Sequence, residues 1–225
     1  MGGDTSGKAE DTVATGPLQP GLYLVAAPIG TASDIAVRAL DLLRRADAIA
    51  AEDTRHTGKL MESQGIARAG RSMIPYHDHN GAAQRPALLE RLRNGQAIAL
   101  VSDAGTPLIA DPGWRLAREA IEAGLAVTAA PGASALLAAL SVSGLPTDRF
   151  LFAGFPPAKT SERNRWITEL APVPATLVFF ESPHRIEASL RAMRGALGNR
   201  KAALCRELTK RFEQVLRGTL DDLIQ

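Results

Sequence analysis

Short apolar runs alternate with amphipathic helical patterns along most of the chain, and this alternation restricts the fold more than any other feature. "LYLVAAP" at 22–28, "AIAAED", "AIALVSD" and "LAVTAAPG" read as strands. "SMIPY" reads as a weaker one, because Pro75 interrupts it. Between them lie "SDIAVRALDLLRRAD", "TRHTGKLMESQG", "AQRPALLERLRNG" and "WRLAREAIEAG", which read as helices closed by glycines such as Gly65, Gly95 and Gly124. Ser33 or Asp34 is placed to cap the first helix, with Ile35, Ala39, Leu42 and Leu43 on its inner face. Adjacent parallel strands need a crossover, usually a helix. The pattern therefore predicts an α/β fold with a mainly parallel sheet covered on both faces.

The pattern continues after the apolar helix "ASALLAALSVSG". Next come "FLFAGF", "SERNRWITEL", "ATLVFFES", "HRIEASLRAMRGALG", "KAALCREL", "FEQVLRG" and "TLDDLIQ". The turn-rich "SGLPTDR" at 143–149 reads as a linker, and the charge balance changes sign there. Residues 1–148 hold 13 Lys+Arg against 16 Asp+Glu, whereas 149–225 hold 13 against 8. We divide the chain into a disordered lead-in (1–20), an N-terminal α/β domain (21–145) and a C-terminal α/β domain (146–225). The basic second half fits an anionic partner, although solvated helix faces give similar counts. Aromatic residues make up 4% of the chain, too few for a broad base-stacking platform.

Several chemistries lack their motifs. "GGDTSGKA" at 2–9 imitates a phosphate loop, but Ala9 stands where the magnesium-binding hydroxyl belongs and no strand precedes it. There is no G-x-G-x-x-G after the first strand and no G-x-S-x-G. The two histidines of "HDHN" at 77–80 lack further ligands, so no metal is expected. His184 in "ESPHR" reads as a helix-start residue. No apolar run reaches the roughly 18 residues of a membrane span. The N-terminus has no apolar signal core, and the single Cys205 fits a reducing, cytoplasmic setting.

Four loops leave the carboxyl ends of the expected strands: "PIGTASD", "EDTRHT", "SDAGTPLIADPG" and "PGASA". Open parallel sheets bind ligands there. Asp103 and Asp111 can accept hydrogen bonds from hydroxyls or face a positive centre, Thr106 and Ser134 bring hydroxyls, and Gly105, Gly113 and Gly132 allow close backbone approach. A polar, partly cationic small molecule fits this set. Four ordinary turns are the plain alternative, which leaves their shared small and acidic composition unexplained.

These segments, with "HDHN", "GFPPAK", "FFESPHR" and "CRELTK", occur in an order that closely resembles the small-subunit ribosomal RNA methyltransferase I family of the tetrapyrrole methylase superfamily. The resemblance covers residues 21–225. It implies two α/β domains with S-adenosylmethionine folded into the cleft between them. It also implies 2′-O-methylation of a cytidine ribose in the decoding region of 16S rRNA within the small ribosomal subunit, and a homodimer. Carried over by motif, Pro28, Asp103, Ala104, Gly105, Thr106, Ile109, Ala110, Asp111, Gly132, Ser134 and Ala135 would line the cofactor site, and Phe180 and Glu181 would close it. The family continues past "GTLDDLI" with a further strand, so the second domain is expected to be incomplete here, with an unpaired sheet edge.

No residue is an obvious general base. Asp53 and Asp103 stand at strand ends facing the expected cleft and are the catalytic candidates, although Asp53 also suits a helix cap and Asp103 a cofactor ligand. Arg55, Lys159, Arg185 and Lys210 are candidates for contacting RNA phosphates. Two other functions fit the same motifs: a tetrapyrrole methylase, and a non-catalytic RNA-binding remnant.

Overall fold

The computed structural model describes residues 16–225. The phosphate-loop imitation and most of the expected lead-in lie outside that range. The first half forms β1 (Gly21–Val25), α1 (Val37–Arg45), β2 (Ala48–Ala51), α2 (Thr54–Ser63), β3 (Ser72–Pro75), α3 (Gly81–Arg93), β4 (Ala97–Val101), α4 (Trp114–Glu122), β5 (Val127–Ala130) and α5 (Ala135–Ser143). The five strands make one sheet in the order β3-β2-β4-β1-β5, and every pairing is parallel.

Side chains alternate across the strands and so build two separate cores. Val25, Ile49, Ala51, Ala99 and Val101 face α1 and α2, where Ala39, Leu42, Leu43 and Met61 meet them. Leu22, Ala48, Ala50, Ile98 and Leu100 face α3 and α4, against Leu88, Leu89, Leu92, Leu116 and Ala120. The three central strands are thus apolar on both faces, which is why they read as continuous runs. Leu116 is 0% exposed in the second core. Leu116→Ala should lower the unfolding free energy by about 2–5 kcal/mol in a denaturant titration, and a cost below 1 kcal/mol would show that the site collapses freely.

Two local expectations change. Ser33 and Asp34 do not cap α1; they sit in a separate 3-10 turn over Ala32–Asp34, and α1 begins after Ala36, with no side-chain cap. Ile35 nevertheless reaches the same core as Ala39 and Leu42. The first strand ends at Val25, short of the Pro28 read from sequence, because Ala27 bridges to Gly105 instead of to a sheet neighbour. Pro75 ends the edge strand β3, where a missing N–H costs the ladder little.

The second half forms β6 (Phe150–Gly154), α6 (Thr160–Leu170), β7 (Thr176–Phe179), α7 (Ile186–Leu197), β8 (Lys201–Arg206), β9 (Gln214–Thr219) and α8 (Leu220–Ile224). β6 and β7 pair parallel, whereas β8 and β9 pair antiparallel. Ile167, Leu190, Met193 and Leu220 form its core. Among the described residues no pairing joins β7 to β8. A cavity of about 1020 Å³ opens in this half, lined by Leu177 and Phe179 of β7, Lys201–Ala203 of β8, and Leu190, Met193 and Leu220. Thr219 starts α8 with a reciprocal capping box to Asp222. Among the described residues no helix is long and apolar enough to cross a membrane.

Candidate active site

The carboxyl ends of β1, β4 and β5 are tied together by their own loops. Ala27 N–H donates to the Gly105 carbonyl at 2.9 Å, and Gly105 N–H returns the bond to Ala27 at 3.0 Å. The Thr106 hydroxyl donates to the Ala133 carbonyl at 3.1 Å. Ser134 caps α5 by accepting from Leu137 N–H. Gly105 has φ +75°, a left-handed conformation that side chains resist. A Cβ on Gly132 would stand 2.9 Å from the Ala26 methyl. The small residues of "DAGT" and "PGAS" are therefore what lets three strand-end loops meet.

A group of carboxylates lies beside this junction. Asp103 Oδ1 accepts from Asp53 N–H at 3.0 Å, tying the β4 loop to the end of β2. Glu52 Oε2 accepts from Asp103 N–H at 3.4 Å. Burial raises the Glu52 carboxyl above its ordinary value, and the nearby Asp103 and Asp78 charges add to the effect. Asp111 is pushed up to about 6, first by burial and then by the charges of Glu52 and Asp103. A carboxyl whose pKa rises on folding destabilises the folded state once it must ionise, so its cost is absent below the ordinary carboxylate range and complete above about 6. Asp111→Asn should therefore raise the melting temperature at pH 8 and hardly change it at pH 4. The gain should be about 1 kcal/mol after allowing for solvent on the open side of the carboxyl. An equal gain at both pH values would mean that charge is not the cause.

Asp53 has a different environment. It is the N-cap of α2, accepting from Arg55 N–H at 2.8 Å, and its carboxylate also takes two bonds from the Arg55 guanidinium. The Arg55 contacts hold it well below the usual carboxylate range. Such a group is a weak proton acceptor. Glu52 was not singled out from sequence, although its place directly after the apolar "AIAA" run gave the same signal as Asp103.

A loop of the second half reaches this junction. Thr31 N–H donates to the Thr209 hydroxyl at 3.1 Å, and the Thr31 hydroxyl donates to the Thr209 carbonyl. A Cβ on Gly30 would stand 2.6 Å from both Lys210 Cγ and Thr209 Oγ1, and 2.8 Å from the Leu208 carbonyl oxygen. "CRELTK" therefore closes on "PIGT", a contact that sequence reading missed because the two segments are remote.

Of the remaining candidates, Ala135, Phe180 and Glu181 line one cavity of about 410 Å³, and the others are spread out. Phe180 packs edge-on against Phe152 and Phe155, with ring centroids 4.8 and 5.7 Å away. The Glu181 side chain is 4% exposed and already occupied: it accepts from the Ser189 hydroxyl at 2.5 Å and from Ser182 N–H at 2.8 Å, and pairs with Arg185. Arg185 also donates to the Pro156 and Pro157 carbonyls, and Arg163, buried in α6, donates to the Ala158 carbonyl. Two guanidiniums thus hold the "PPA" turn. Lys159, just beyond it, pairs with Glu162, and Lys210 pairs with Glu207. Pro28 lies in the Ala27–Gly30 turn, and Ile109 and Ala110 are exposed on the long loop after β4. Ala104 is exposed and Ala135 half-buried at the same end of the sheet. No group of His, Cys, Asp and Glu among the described residues could hold a metal ion.

The family profile described as "Tetrapyrrole (Corrin/Porphyrin) Methylases" matches residues 21–224. Ribosomal RNA small subunit methyltransferase I of Mesorhizobium japonicum is 54% identical over 205 residues, covering 91% of this chain and 69% of that protein. The protein of the same name from Micromonospora olivasterospora is 47% identical over 223 residues, covering 99% and 70%. Among solved structures, diphthine synthase superposes with a TM-score of 0.67 at 19% identity, covering 90% of this chain and 83% of that one; it shares the fold. The long matches at 46–54% identity and the matching profile agree: this chain belongs to the tetrapyrrole methylase family and, within it, to the ribosomal RNA small subunit methyltransferase I group.

Proposed function

We propose that this protein transfers a methyl group from S-adenosylmethionine to the 2′-hydroxyl of a cytidine ribose in 16S rRNA of the small ribosomal subunit, in the cytoplasm. The observation that carries the reading is the 46–54% identity, over most of the chain, to proteins that share one rRNA methyltransferase name. In this reading residues 21–145 and 146–225 are its two domains, and the chain works as a homodimer. The outward α4 face with exposed Trp114 and Ile121 suits a second copy.

The residues at the strand ends fit the methyl donor. A bed of small residues and main chain, Ala104, Gly105, Gly132 and Ala133, leaves room for a ligand to lie close. Asp103 and Asp111 beside it can accept from ribose hydroxyls and favour a positive sulfonium. Pro28, Thr106, Ile109, Ala110, Ser134 and Ala135 belong to the same strand-end loops, and Phe180 shares a cavity with Ala135. When bound, S-adenosylmethionine supplies an electrophilic methyl group. The protein aligns the attacking oxygen with that methyl, and alignment of this kind contributes up to about 7–11 kcal/mol when ideal. Asp103 or Glu52 takes the hydroxyl proton. We assign Asp53 to capping α2 and orienting Asp103, and Arg185 and Glu181 to holding the "PPA" turn. We keep the exposed Lys159 and Lys210 as phosphate contacts.

Transfer of radiolabelled methyl from S-adenosylmethionine to unmodified small subunits tests the reading. Label on the ribose of one cytidine is expected. Label on a free tetrapyrrole instead, with none on RNA, would overturn it.

A further inference from the structure

We infer that the groove along the outer face of α2 is a binding track for the RNA phosphodiester backbone, formed by Lys59 and Arg68 beside Arg55. The inference rests on the rRNA reading above and adds a place where the RNA strand approaches the cleft. The groove holds about 690 Å³ and is lined by Arg55, Gly58, Lys59, Glu62, Ile66 and Arg68, among others. Three cations thus face one carboxylate. Arg55 is partly neutralised by Asp53. Lys59 and Arg68 are exposed, and among the described residues neither has a carboxylate within ion-pair distance.

The position of the groove connects it with the cleft. α2 begins at the carboxyl end of β2, where Asp53 binds Asp103. Arg55 and Lys59 follow four residues apart, about 6 Å along the axis, on the same face. That spacing is comparable to the separation of neighbouring phosphates on one strand. A strand lying over these cations would run from the groove to the strand-end loops.

The groove is also built rather than incidental. Gly58 leaves room for Arg68, since a Cβ there would stand 2.5 Å from Arg68 Nη2. The turn carrying Arg68 is fastened by Arg71, whose guanidinium donates to the Arg68 carbonyl at 2.9 Å and to the carbonyls of Ala67 and Leu43. Ala69 and Gly70 both adopt positive φ in that turn. A guanidinium presented from a fixed turn loses less entropy on gripping a phosphate than one on a mobile loop.

The test compares binding isotherms on small subunits at several salt concentrations. Lys59→Gln/Arg68→Gln should weaken binding at least tenfold near 0.1 M salt and flatten the salt slope by about 1.4 units, close to 0.7 per lost phosphate contact on a single strand. Gly58→Ala, which displaces the Arg68 guanidinium without changing net charge, should cost several-fold. Arg44→Gln/Arg93→Gln removes the same charge from exposed sites in the last turns of α1 and α3, at the far end of the sheet, and should stay near wild type. S-adenosylmethionine affinity by calorimetry should be unchanged in all three, showing that they fold. If both groove variants follow the Arg44/Arg93 control in affinity and slope, the track does not exist. Absence of methyl transfer by the wild type would instead sink the rRNA methylation reading while leaving the slope comparison interpretable.

Discussion

Gly30→Ala should lower methyl transfer by at least a hundredfold while leaving the protein folded. The added methyl would meet Thr209 Oγ1 and Lys210 Cγ at 2.6 Å and the Leu208 carbonyl oxygen at 2.8 Å. The lysine stem can swing aside, but the carbonyl belongs to the backbone. The 207–210 turn must therefore back away from the "PIGT" turn, breaking both Thr31–Thr209 hydrogen bonds. Neither turn is part of the two sheet cores, so global stability should change little. The cleft would open, and misplacement by about 1 Å is enough to cost roughly a hundredfold in rate. Single-turnover transfer and a melting curve on the same sample check this. Transfer within threefold of wild type would mean that the turn contact plays no part in assembling the site.

The second large effect is expected at Asp103. Its carboxylate accepts the Asp53 N–H, and its own N–H reaches Glu52, so one residue couples β2 to β4 at the mouth of the site. Hydrogen bonds to a charged acceptor contribute about 1.5–3 kcal/mol. Asp103→Ala should thus weaken S-adenosylmethionine binding by roughly 10–150-fold, and methyl transfer should fall further if the carboxylate also takes the proton. Asp103→Asn keeps the acceptor oxygen and separates the two roles: cofactor affinity should partly recover while the transfer rate does not. An unchanged cofactor dissociation constant in the alanine variant would remove Asp103 from the ligand site.

The sheet was legible because its signals are local. Ala-Ile-Ala-Ala and Ala-Ile-Ala-Leu-Val carry their burial in composition, and Gly65, Gly124 and Gly144 end helices with the positive φ that their position in sequence implies. The start of α1 was misread because a 3-10 turn uses the same Ser-Asp pair that a cap would. Asp103, Gly105 and Thr106 could be placed at a strand end because an apolar run leads directly into them. The duties of Arg163, Arg185 and Glu181 could not be read, because an arginine that holds backbone carbonyls looks in sequence like one that awaits a phosphate. The closure of Thr209 on Thr31 leaves no pattern in either segment alone.

That closure also sets an order of events during synthesis. Thr31 and Thr209 are 178 residues apart, so their bond is among the most non-local in the chain. The five-stranded sheet has all its strands once Ala130 has emerged from the ribosome. Translation proceeds at about 5–20 residues per second, so Thr209 follows roughly 4–16 seconds later. During that interval the nascent chain can hold a finished sheet with an unroofed end. Loop-closure entropy must be met before so distant a contact forms, which makes it a late step. The proposed methyl-donor cleft would then be assembled last, by a contact that folds after the framework beneath it has set.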